Sequence, residues 1–211
     1  MKKGYSFTEL LIVLAVISLL AGGAMANFRI FGKKTELKVK AEELKSDFLE
    51  TQIKARALEK KEKLVLGYKF VIRPHSYQII QIQPKTSTEQ EVQNSIERYY
   101  QMTQYPAVYT DENFFEAFFP SSLLSEKIIK NISFAKRIKL CIKRENENLP
   151  TCQLADPVWF FVAVPSGRLF NPENIVSLYL VNETIVGANA VRLDIDSISG
   201  NININPELEK I

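Results

Sequence analysis

Across its 211 residues the chain has one histidine, one tryptophan, two cysteines and eight glycines. Each scarcity removes a class of chemistry. A single His75 cannot build a metal centre on several imidazoles, and no serine and aspartate are arranged around it as a hydrolytic triad would need. The few glycines form no phosphate-cradling loop. There is also no large charge of one sign. Lys and Arg total 27 against 24 for Asp and Glu, a balance that gives the whole chain no strong pull toward nucleic acid or acidic membranes. No catalytic constellation, cofactor or metal site is expected, so the protein reads as a non-enzyme.

What the sequence does have is a long apolar run at its start, MKKGYSFTELLIVLAVISLLAGGAMA. Residues 10–26 contain Ser18 as their only polar side chain. At a rise of about 1.5 Å per residue, a helix of that length covers most of the ~30 Å hydrocarbon core of a bilayer. Lys2 and Lys3 precede the run, and the positive-inside tendency then puts the rest of the chain on the far side. Glu9 is the anomaly, because a carboxylate at the edge of a lipid-facing segment is costly unless a cation meets it or it reaches the interface.

A short basic leader ending in glycine, then an aromatic residue, three more residues and a glutamate opening an apolar helix, resembles the start of type IV pilins and secretion pseudopilins. The resemblance implies cleavage after Gly4 by prepilin peptidase, N-methylation of the new terminus at Tyr5, and assembly into a helical filament. It implies a role for Glu9 in neutralising a neighbouring subunit's terminal amine. Two desolvated charges that are each costly alone become tolerable together. The family usually has phenylalanine at the first mature position, and Tyr5 keeps the ring while adding a hydroxyl. Other pilin subunits, the peptidase, the inner-membrane assembly machinery and the membrane itself are the partners implied.

Three other readings of the run are a secretory signal cleaved after Ala24-Met25-Ala26, a plain membrane anchor, and a core helix of a soluble domain. The acid directly before the apolar region counts against the signal. The length and uniformity of the run count against the core helix.

Beyond the run, the helix is expected to continue over 28–62 and to become amphipathic. Leu37, Ala41, Leu44, Phe48, Thr51, Ala55 and Leu58 recur at steps of four and three on one face, with Lys38, Lys40, Glu42, Glu43, Lys45, Asp47 and Glu50 on the others. Gly22-Gly23 is a candidate kink. From 64 the period becomes extended. Segments 64–72 and 77–83 flank Arg73-Pro74-His75-Ser76 as a hairpin, which makes His75 a turn residue. Residues 84–125 read as an aromatic insertion, with a capping box at Thr88-Glu89-Gln90-Glu91 and four phenylalanines before Pro120. Strands are expected at 127–134, 137–143, 158–164, 175–181, 190–197 and 201–204, joined by tight turns. The fold class is therefore α+β: a leader at 1–4, a transmembrane helix at 5–27, and a head at 28–211 with a mainly antiparallel sheet over 64–205. The layout resembles H-type minor pseudopilins, with 52–57 matching the alanine-and-arginine stretch that closes the helix. Residues 158–167 match the strand leading into a Pro-x-Gly turn.

Cys141 and Cys152 have ten residues between them. In a domain exported to an oxidising compartment they are expected to pair, the alternative being two reduced thiols. Asp194 and Asp196 share one face of a strand, and with Glu183 they offer either a calcium site or, as alternating acids usually do, a solvent face. The basic cluster Lys136, Arg137, Lys139, Lys143 and Arg144 keeps open a second function, a filament-tip subunit that captures DNA.

Overall fold

The computed structural model describes residues 7–57, 65–85, 124–164, 169–170, 174–187, 189–196 and 201–211. Among the described residues one helix, α1 (Phe7–Ala57), is followed by nine strands: β1 (Gly67–Arg73), β2 (Ser76–Pro84), β3 (Leu124–Ser133), β4 (Ile138–Arg144), β5 (Val158–Ala163), β6 (Leu169–Phe170), β7 (Ile175–Asn182), β8 (Ala190–Ile195) and β9 (Ile202–Glu209). The strands form two sheets, in the order β3-β2-β1-β5-β6 and β4-β7-β8-β9. Every pairing is antiparallel. The α+β architecture expected from the sequence is thus present, with the head's sheet divided in two.

The helix runs without interruption through Gly22-Gly23. At a rise of about 1.5 Å per residue it is about 76 Å long, and its two halves meet different surroundings. Leu37, Ala41, Leu44, Phe48, Thr51 and Ala55 are all buried, so the expected stripe is the face laid on the head. Leu58 and the expected continuation to 62 lie outside the described residues. Phe48 stacks at 4.6 Å on Phe70 of β1 and meets Phe160 of β5 edge-on at 6.3 Å. The helix also touches β7, β8 and β9, so a single core including Leu44, Phe70, Phe160, Leu180 and Leu193 joins it to both sheets.

The β1–β2 hairpin closes through Pro74 and His75, with Arg73 paired to Ser76. Proline presets the backbone angle that the first turn position needs. The turn also joins the two sheets. Leu140 N–H donates to Pro74 O at 2.7 Å, Phe134 N–H donates to His75 O at 2.8 Å, and His75 Nδ1 donates to Ile138 O at 2.9 Å. His75 is therefore a turn residue held in a structural role. Between β1 and β5, Gly67 is required by close approach. A Cβ there would meet the Phe161 ring at 2.0 Å and Val162 O at 2.5 Å.

Most strand boundaries differ from expectation by one to five residues. β3 starts at Leu124 and β2 includes Pro84, so both ends of the 84–125 segment are strand. Its capping box and aromatic runs lie outside the described residues. β9 extends to Glu209 instead of stopping at 204. Pro206 would ordinarily end a strand, but β9 is the edge of its sheet. Opposite Arg192 the register jumps from Leu193↔Ile204 to Val191↔Leu208, so the proline sits in a bulge where no ladder donor is needed.

Candidate functional site

The first half of α1 is a rod exposed on every side. Leu10, Leu11, Ile12, Val13, Leu14, Val16 and Ile17 are each about half exposed or more, and Phe7, Leu19 and Leu20 are exposed further. None of its most apolar window is buried, and it is long and apolar enough to cross a membrane. That exposure removes the reading of a soluble core helix, whose apolar surface would be covered. Ser18, the one polar side chain of the run, donates its hydroxyl to Leu14 O at 2.8 Å. A polar group in lipid needs such an internal partner.

Glu9 stands in the first turn of α1 and is exposed. The helix dipole favours a carboxylate near the N-terminal end of a helix. Gly4 and Tyr5, the expected processing residues, lie outside the described residues.

At the neck, where the rod enters the head, two contacts tie α1 to the head and a third ties β4 to the loop after β7. Arg137 forms a two-pronged pair with Glu36, at 2.7 and 2.9 Å. Lys139 pairs with Glu183. Lys33 Nζ donates to Thr184 O at 3.4 Å. Further along, Asp47 is buried although the sequence pattern put it among the solvated residues of the helix. Tyr77 donates its hydroxyl to Asp47 Oδ2 at 2.6 Å, and Lys130 Nζ reaches Oδ1 at 2.5 Å. One carboxylate thereby ties α1 to β2 and β3. Burial, and then the hydrogen bond to Asp47, push the Tyr77 hydroxyl above its ordinary titration range. A sequence signal existed, since Asp47 lies three residues after Leu44 and four before Thr51, inside the width of the apolar face.

Cys141 and Cys152 form a disulfide with sulfurs 2.00 Å apart. The adjacent residues Ile142 and Thr151 exchange two backbone hydrogen bonds, at 3.0 and 2.7 Å, so the bridge clips the loop after β4 back along that strand. Asp194 accepts from Ser177 Oγ at 2.7 Å and pairs with Arg192 at 3.0 Å. Among the described residues no group of three His, Cys, Asp and Glu side chains is placed to hold a metal ion. A depression on the outer face of α1, lined by Glu42, Lys45, Ser46, Leu49, Glu50 and Ile53, comes from one helix and holds no convergent catalytic groups.

Residues 1–25 match the family model described as the prokaryotic N-terminal methylation motif. This motif and the exposed apolar helix together support a pilin-like or pseudopilin subunit. No curated protein and no solved structure matches the chain significantly.

Proposed function

We propose that the protein is a minor subunit of a type IV pilus or of a type II secretion pseudopilus. It is cleaved after Gly4, methylated at Tyr5, held in the inner membrane as a single span with its head outside, and then drawn into a filament core by α1. The observation that carries this reading is a rod with no burial in its own chain, starting at a methylation motif. Such a surface needs lipid first and neighbouring helices afterwards. In the core, Glu9 meets the amine of a neighbour's Tyr5 and sets the register.

DNA capture at a filament tip is the weaker reading. Of its basic cluster, Arg137, Lys139 and Arg144 are paired with Glu36, Glu183 and Glu147. Paired cations contribute little to the salt-dependent attraction of phosphates.

The test is the mass of the N-terminal peptide from membranes and from sheared surface material. A chain starting at Tyr5 and heavier by about 14 Da, one methyl group, supports the proposal. A chain starting at Asn27 overturns it in favour of a secreted domain. Gly4→Leu is expected to block processing. Glu9→Ala is expected to leave membrane insertion intact while removing the protein from filaments, and normal incorporation would refute the charge-pairing role.

A further inference from the structure

The underside of the head combines two properties that the rod alone does not have. Residues 27–35 carry Arg29, Lys33 and Lys34 and no acid. The neck contacts bring loops 135–137 and 183–187 to the same level of α1, since Arg137 holds Glu36 and Lys33 reaches Thr184. Those loops add exposed Lys136 and, next to buried Ile185, a Val186 that is 95% exposed. Gly187, at φ 89°, turns the chain back there. Among the described residues the carboxylates of this collar are Glu36, paired with Arg137, and Glu183, paired with Lys139 of β4. The collar therefore presents a net positive ring around an apolar tip, with Phe28 and Phe31 exposed on the helix just beneath.

Distance identifies what this ring faces. Lys33 is seven residues beyond Ala26, or about 10 Å along the helix. The headgroup layer adds about 5–8 Å to each side of the hydrocarbon core, and lysine side chains reach back toward it. We propose that the underside of the head is a docking surface for anionic phospholipid headgroups. In it Arg29, Lys33, Lys34 and Lys136 contact phosphates while Val186 and Phe31 enter the interface, so that the unassembled subunit rests on the outer leaflet in a fixed tilt. The inference rests on the reading that the rod spans the membrane. Continuity of the ring with the span, and its charge, favour lipid over another protein as occupant.

The test uses the full chain reconstituted in phosphatidylcholine vesicles with and without phosphatidylglycerol. A single environment-sensitive fluorophore is carried on Val186→Cys or, as a control, on Leu19→Cys, with the native disulfide kept. Quenching of the position-186 probe by headgroup spin-labelled lipid is expected to rise at least twofold when phosphatidylglycerol is present. It should return to the phosphatidylcholine value in high salt, or when Lys33, Lys34 and Lys136 are changed to Gln. A position-186 probe that remains water-like in both lipids, while the position-19 probe is quenched by acyl-chain labels, overturns the docking surface and leaves the spanning helix standing. A position-19 probe that remains in water overturns the spanning reading and the inference with it. Quenching that follows protein density instead of lipid charge assigns the surface to a second copy and also overturns the proposal.

Discussion

The two halves of α1 are built from the same backbone and solve opposite problems. In residues 7–31 apolar side chains occur all around the helix and none of that surface meets the head. In residues 37–55 the buried positions form one stripe, Leu37, Ala41, Leu44, Phe48, Thr51 and Ala55, with Val39, Leu49 and Ile53 left exposed elsewhere. A helix surrounded by lipid or by other helices gains from apolar groups on every side. One with a single packed face needs them only at the helical period, and elsewhere needs charge for solubility. In the proposed function the division falls at the same point: the half left exposed among the described residues is the half offered to lipid and to other subunits.

Matched substitutions break this comparison most directly. Leu44→Ala is expected to cost the head about 2–5 kcal/mol through a core cavity. Leu14→Ala, the same change on the same helix, should leave head unfolding unchanged, because Leu14 touches none of it. Denaturant titration of detergent-solubilised chain, followed through Trp159, reads both, and equal losses would mean that the rod and the head unfold as one unit.

Removing the clip with Cys141→Ala and Cys152→Ala should cost about 3 kcal/mol by the loop-closure estimate. The same titration with and without reductant measures it, and no difference would show that Ile142 and Thr151 hold the loop unaided.

Asp47→Ala leaves the buried Tyr77 hydroxyl without its acceptor and Lys130 without its anion. A loss of about 1–3 kcal/mol is expected, with Lys130 contributing little because it is partly exposed. Tyr77→Phe should cost about 1 kcal/mol at neutral pH and has a distinct pH signature. Tyr77 titrates higher in the folded state than in the unfolded state, where its pKa is about 10. Its contribution is therefore fully present below about pH 10 and declines as pH rises past that point, because the unfolded chain loses the proton first. Tyr68 and Tyr179 are raised as well, burial being the main cause for each. Tyr77→Phe should consequently make the alkaline loss of stability shallower without abolishing it. An unchanged slope would count against burial of the hydroxyl.

The smallest effect is expected at Glu50→Gln. It removes an exposed i,i+4 pair with Lys54 and should cost less than about 0.5 kcal/mol. A larger loss would show that the outer face of α1 is covered by something that the described residues do not include.

Much of this was legible in the sequence wherever the signal is local. The rod follows from composition, the buried stripe from spacing, and the hairpin from Pro74 between two apolar runs. Strand β7 differs from its expected span by one residue, ending at Asn182. The short β6, the extension of β9 past Pro206, and the position of Asp47 were not legible in the same way. β6 is two residues long and exists only because Phe161 and Val162 pair with it. β9 continues because an edge position and a bulge excuse its proline from donating. Asp47 lies within the apolar face by spacing, but the groups that satisfy its carboxylate, Tyr77 and Lys130, come from far along the chain.

The sequence by itself determined that this protein has an apolar helix fit for a membrane or a filament core, a methylation motif at its start, and a head of strands closed by turns. Those features depend on residues within a few positions of one another, where backbone geometry and hydrophobic period act directly. Only the tertiary structure decided that the strands divide into two sheets sharing one core. It also decided that an aspartate is buried between a tyrosine and a lysine, and that Arg137 before β4 and Lys139 within it answer acids on the helix and on loop 183–187. These features depend on which distant segments meet, and the free energy of such a meeting is a sum over contacts that no local window contains.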